Sequence, residues 1–108
     1  MLYDEIALPV SLDTLIVALC GEYFRMRDAA REGELSYRTV MEYRYYSFKI
    51  YDAAAEIVGE REAESYIGEI GSRLGYARSS VDGVSEVTYK QRKRRVKINI
   101  ARRLHLLD

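Results

Sequence analysis

Basic side chains near the C-terminus are the residues whose type and spacing point most directly to a chemical task. Residues 86–108 contain eight Lys or Arg and two Asp or Glu, a formal net charge of +6. Residues 1–85 contain nine Lys or Arg and fifteen Asp or Glu, a formal net charge of −6. The basic residues of the last segment are Lys90, Arg92, Lys93, Arg94, Arg95, Lys97, Arg102 and Arg103. Such a density of Lys and Arg is typical of surfaces that bind phosphates or acidic partners.

Two other interpretations of this charge stay open. A run of charges is often only a solvated helix face. It can also be neutralised within the molecule, and the acidic residues expected to do so here are Glu60, Glu62, Glu64 and Glu69. Binding to phosphates requires that the basic side chains stay exposed.

The basic segment has the periodicity of a helix that rests on a core. At 100° per residue, its main apolar stripe consists of Tyr89, Val96, Ile100, Leu104 and Leu107. Basic residues fill much of the remaining circumference. This pattern is typical of a helix that is anchored on one face and presents charge on the others.

The residues before and within this helix resemble a helix-turn-helix. A short helical segment ends near Gly75, and after a connection the motif Gly83-Val84-Ser85-Glu86, with Thr88 and Tyr89, begins the basic helix. The pattern is similar to the C-terminal DNA-reading unit of sigma-70-like factors and of ArpU-type phage transcription regulators. The resemblance covers about the last 40 residues. It departs from the family in its long connection, residues 76–84, and at Arg92 and Lys97, where the family tends to be apolar.

The resemblance implies a recognition helix that enters the major groove of double-stranded DNA. It assigns base readout, in which Gln suits adenine and Arg suits guanine, to Thr88, Gln91, Arg92 and Arg95. It assigns phosphate contacts to Ser85, Lys90, Arg94, Arg102 and Arg103. The predicted function is therefore a small DNA-binding, transcription-regulatory protein of phage or mobile-element type.

Four helices are predicted to position these residues, so the expected fold class is all-α and bundle-like. Ser11, Ser36 and Ser85 are the expected N-caps. The predicted helices cover residues 11–31, 36–58, 60–76 and 85–105. Gly33 and Gly59 are expected to end the first two of them. A single domain, residues 1–108, is expected to consist of a helical hairpin, residues 1–59, and a helix-turn-helix-like unit, residues 60–108.

The second predicted helix is rich in tyrosine and carries the alternative prediction. It contains five of the ten tyrosines, Tyr37, Tyr43, Tyr45, Tyr46 and Tyr51. Its apolar residues cover more than half of its circumference, which predicts a central position. The alternative function is a non-enzymatic interaction bundle that forms a homodimer or binds another protein through residues 36–58. Arg44 interrupts the apolar line and is expected to extend to solvent at the bundle edge, with a buried ion pair or an anion site as alternatives.

Several classes of protein are not expected. Cys20 is the single cysteine and His105 the single histidine, so the sequence predicts no metal site, no cofactor and no enzyme. The apolar run 12–20 is too short to span a bilayer, and no basic residue precedes it as in a signal peptide. The expected location is the cytoplasm, with no membrane partner.

Overall fold

The computed structural model describes residues 6–32 and 35–107, and within these ranges the chain is all-α without a strand. A single 3-10 turn, Tyr76–Arg78, lies between the last two helices. The helices are α1 (Val10–Glu32), α2 (Tyr37–Val58), α3 (Glu60–Gly71) and α4 (Glu86–Arg103). The predicted all-α, bundle-like fold class is confirmed.

Two of the three predicted serine caps are confirmed. The Ser36 side chain accepts a hydrogen bond from the Thr39 amide at 3.3 Å, and the Ser85 side chain accepts one from the Thr88 amide at 3.2 Å. The prediction for Ser11 is wrong, because α1 already begins at Val10. The predicted stop at Gly33 lies outside the described residues.

The C-terminal end of α3 differs most from the prediction, because the helix ends at Gly71 and not near residue 76. Arg73 adopts a left-handed conformation with φ 56°. The Leu74 amide donates to the Glu69 carbonyl at 3.0 Å, and the Arg73 amide donates to the Ile70 carbonyl at 3.1 Å. This is the hydrogen-bond pattern of a Schellman C-cap, a position where glycine is the usual residue.

The predicted central position of α2 is confirmed, since α2 packs more extensively against each of the other three helices than those helices pack against one another. Only the C-terminal part of α2 is buried, however, at Ser47, Ile50, Ala53 and Ala54. The N-terminal part, residues 37–46, contains no buried side chain.

Helices α1 and α3 cross with their backbones nearly in contact at two glycines. A Cβ atom added to Gly71 would lie 2.6 Å from the Gly21 amide nitrogen. Gly71 therefore allows a close approach of the two helices that a larger residue would prevent. At Gly75 a Cβ atom would meet nothing within 4 Å.

Candidate functional site

The connection between α3 and α4 does not have the geometry of a tight helix-turn-helix. It comprises residues 72–85, whereas the motif joins its helices by three or four residues. Helix α4 packs mainly against α2 and contacts α3 only sparsely. The resemblance to sigma-70-like and ArpU-type proteins therefore stays a prediction.

Two of the basic side chains of α4 form ion pairs with carboxylates of other helices. Lys97 Nζ lies 2.7 Å from Asp13 Oδ1 at the start of α1. Arg103 pairs with Glu56 of α2, and its hydrogen bond lowers the pKa of that carboxyl below its ordinary value. The acidic residues expected to neutralise α4 lie in α3, in the range 60–69. The carboxylates that pair with these two side chains belong instead to α1 and α2.

Two further cations of α4 donate to backbone carbonyl groups. Lys93 Nζ donates to the Leu74 carbonyl at 2.6 Å, and the Arg94 guanidinium donates to the Ile6 carbonyl. These contacts hold the segment before α1 and the connection after α3 against α4. Of the two side chains, Arg94 is one that the resemblance assigns to a DNA phosphate.

The four residues predicted to read bases differ in exposure. Gln91 is exposed, whereas Thr88, Arg92 and Arg95 are half-buried. Arg95 Nε has no exposed surface. The structure therefore presents one of the four side chains fully to solvent.

The five residues predicted to contact phosphates fall into separate groups. Ser85 caps α4. Lys90 and Arg94 line a cavity on one side of α4, while Arg102 and Arg103 line another cavity between α4 and α2. At 100° per residue Arg103 lies opposite Arg94, whereas Arg102 is only about 80° from Arg94 around the helix. The predicted phosphate contacts therefore do not form a single compact patch.

A concave basic surface lies where α1 begins and α3 ends, alongside α4. Two cavities of about 360 and 200 Å³ adjoin there and have Asp13, Lys93 and Lys97 in common. We call this surface the cationic groove. Its basic residues are Arg73, Lys90, Lys93, Arg94 and Lys97. Burial, followed by the positive charge of Lys97, lowers the pKa of Lys93 below its ordinary value.

The N-terminal half of α2 carries an exposed apolar surface, which we call the aromatic face. It consists of Tyr37, Met41, Tyr45, Tyr46 and Phe48. Tyr37 is 81% and Phe48 64% exposed, although side chains of this size are usually buried. Together with Arg38 and Glu42, all but Phe48 line an open cavity of about 550 Å³. Arg44, on the same helix, is exposed as expected.

A buried carboxylate, Glu69, organises the connection between α3 and α4, and sequence reasoning missed it. Its oxygens accept hydrogen bonds from Ser79 Oγ at 2.5 Å, Tyr89 OH at 2.6 Å and Ser80 Oγ at 2.9 Å. Burial opposes ionisation, but these hydrogen bonds outweigh it and hold the pKa of Glu69 below its ordinary value. The signal in the sequence was that Glu69, an acidic residue, stands between the apolar residues Ile67 and Ile70.

The single cysteine has the environment of a core residue. Cys20 is fully buried, and burial raises the pKa of its thiol to about 12. A thiol that is protonated at neutral pH is a poor nucleophile. Among the described residues, no group of three His, Cys, Asp or Glu side chains is arranged to hold a metal ion.

Comparison of the chain with protein-family models, curated protein sequences and solved structures gave no match. No helix in the described part of the chain is long and apolar enough to cross a membrane.

Proposed function

We propose that the chain is a non-enzymatic helical interaction module that pairs with a second copy of itself through the aromatic face of α2. The observation that carries this proposal is the exposure of four large aromatic side chains and a methionine on half of one helix. Contiguous exposed apolar surface on a small protein is characteristic of an interaction site. Tyrosine suits such a site because its ring is apolar and its hydroxyl remains hydrated.

The charges beside the aromatic face favour a second copy over an unrelated partner. Arg38 and Glu42 flank it, lie one turn apart and pair with each other at 3.3 Å. In an antiparallel pairing of two α2 helices around a two-fold axis, Arg38 of each copy can face Glu42 of the other. The formal net charge of zero also means that two copies do not repel each other strongly.

The length of the exposed stripe suits a helix–helix contact. Tyr37, Met41, Tyr45 and Phe48 follow one another at intervals of four, four and three residues, which places them on one side of α2. They extend along about 16 Å of helix at 1.5 Å per residue. In the antiparallel register that sets Arg38 against Glu42, the stripes of the two copies overlap in their N-terminal part, around Tyr37 and Met41.

Sedimentation-velocity centrifugation across a range of concentrations tests the proposal. We expect a concentration-dependent dimer that Met41→Glu weakens at least tenfold, because a charge then stands in the centre of the contact. Val87→Glu is the matched control, since Val87 is 66% exposed and lies on α4 away from the face. A monomer at all concentrations contradicts the proposal, as does equal weakening by both variants.

Binding of duplex DNA by α4 is the second candidate function. It is supported by the exposure of Lys90 and Gln91 in the first turns of a helix that begins at the predicted cap, Ser85. Fluorescence anisotropy with a labelled duplex at two salt concentrations tests it. If Gln91 contacts a base, Gln91→Ala reduces the ratio between the affinity for a selected DNA sequence and the affinity for random DNA. Absence of binding at low salt excludes this function.

A further inference from the structure

The cationic groove concentrates positive charge in a concave part of the surface. Five basic side chains line it, and the carboxylates paired with them among the described residues are Asp13, on Lys97, and Glu86, on Lys90 at 3.0 Å. Among the described residues that line the two cavities, five are basic and one, Asp13, is acidic. A concave surface lined mainly by charges of one sign attracts ions of the opposite sign.

The two lysines at the centre of the groove are held in an unfavourable electrostatic arrangement. Lys93 and Lys97 lie one helical turn apart, and burial, followed by the charge of Lys97, lowers the pKa of Lys93 below its ordinary value. Side chains of like charge at this spacing destabilise a helix. A bound anion relieves this repulsion because it interacts favourably with both ammonium groups.

Arg73 adds a further basic side chain at the edge of the groove. It lines the smaller cavity and is the left-handed residue, φ 56°, of the C-cap that ends α3. In this position its exposed guanidinium lies beside the two lysines.

The burial that disfavours contact with DNA suits a small ligand. The side chain of Lys97 is only 23% exposed, and Lys93 is also half-buried. Groups set back in this way are less accessible to a broad duplex than to a small ion. An anion that enters the two adjoining cavities can contact them directly.

We propose that the cationic groove binds a small anion with two or more phosphoryl groups, such as a diphosphate or triphosphate chain. Several converging Lys and Arg side chains match the closely spaced negative charges of such a chain. Two adjoining cavities accommodate neighbouring phosphoryl groups, with Lys93 and Lys97 between them. This binding goes beyond self-association and uses a different surface.

Asp13 competes with this ligand for Lys97, which provides a distinctive test. Removing its charge by Asp13→Asn frees the Lys97 ammonium group and removes a repulsive carboxylate from the groove. We expect Asp13→Asn to bind the anion about tenfold more tightly, equivalent to about 1.4 kcal/mol. A residue that acts only on stability does not tighten binding when it is removed.

Isothermal titration calorimetry of the full chain with inorganic tripolyphosphate, at low salt and without divalent cations, measures the binding. We expect saturable binding with one site per chain, and a fall in affinity of roughly threefold to tenfold for Arg73→Gln and for Lys90→Gln. Both side chains are exposed, so these variants keep the fold. Arg61→Gln removes one exposed charge outside the groove and serves as the control for net charge.

Three results overturn the proposal. The first is a titration without saturable binding at millimolar tripolyphosphate. The second is an effect of Arg61→Gln as large as that of Arg73→Gln, or weaker binding by Asp13→Asn. The third is displacement of tripolyphosphate by a 20-base-pair DNA duplex that binds more tightly than tripolyphosphate and loses affinity in Arg73→Gln. The ligand of the groove is then a nucleic acid.

Discussion

The ring centroids of Tyr66 and Tyr89 lie 6.0 Å apart in the core, but the two hydroxyl groups differ in their hydrogen bonding. Both side chains are almost fully buried. Tyr89 OH donates to Glu69 and also lies 3.1 Å from the Leu74 carbonyl, whereas Tyr66 OH has no hydrogen-bond partner among the described residues. The pair thus combines an anchored hydroxyl with an unsatisfied one.

This difference predicts opposite effects of the same substitution at the two positions. Tyr89→Phe removes a hydrogen bond to a charged group and lowers the free energy of unfolding by about 1.5–3 kcal/mol. Tyr66→Phe removes a buried polar group without a partner and leaves stability unchanged or raises it by about 1 kcal/mol. Urea denaturation followed by circular dichroism measures both. Equal losses for the two variants contradict the assignment.

The carboxylate of Glu69 makes stability depend on pH in a definite direction. Its pKa is lowered in the folded protein, against an ordinary value of 4.5, so ionised Glu69 stabilises the fold above the ordinary value. This contribution is lost as the pH falls below 4.5 and through the lowered pKa. We expect the urea midpoint to decrease from pH 6 to pH 3 more steeply in the native chain than in Glu69→Gln. Parallel pH profiles of the two proteins contradict this prediction.

The contact between α1 and α3 predicts that two neighbouring glycines differ in their tolerance of alanine. Gly71→Ala places a methyl group 2.6 Å from the Gly21 amide nitrogen, so one helix must move. We expect a loss of about 2 kcal/mol or more, in the upper range for overpacking. Gly75→Ala meets no atom within 4 Å at φ −89° and is the matched control, with stability unchanged or slightly raised. Thermal unfolding measures both variants.

Local signals explain what the sequence predicted well and what it missed. Ser36 and Ser85 were recognisable because a cap uses residues within one turn of each other. The end of α3 was not, because the apolar Leu74 continues the helical spacing while Arg73 adopts a glycine-like conformation. The internal use of the α4 cations could not be foreseen, since Lys97 finds Asp13 at a sequence distance of 84 residues. The exposure of the α2 tyrosines likewise depends on how the other helices pack beside α2, which periodicity within α2 does not reveal.

The left-handed residues that end α3 and α4 predict stabilisation by glycine. Arg73 has φ 56° and His105 has φ 58°, each in a helix C-cap. Arg73→Gly and His105→Gly each raise the free energy of unfolding by about 1 kcal/mol, because glycine adopts this conformation without steric conflict. Ser72→Gly, at φ −88°, is the control and lowers it. If Arg73→Gly is destabilising, its side chain contributes more to the fold than its backbone costs.

The charges beside the aromatic face predict that self-association can be broken and restored by exchange of sign. In the antiparallel pairing proposed above, Arg38→Glu places two carboxylates opposite each other at both ends of the contact, and Glu42→Arg places two guanidinium groups there. Each variant alone is therefore expected to dimerise at least tenfold more weakly. Mixed together, the two variants recover opposite charges at both contacts and form a heterodimer, which sedimentation velocity with one labelled variant detects. Recovery of association in the mixture identifies the two-fold contact through Arg38 and Glu42. If the mixture associates as weakly as each variant alone, Arg38 and Glu42 do not face each other across the dimer interface.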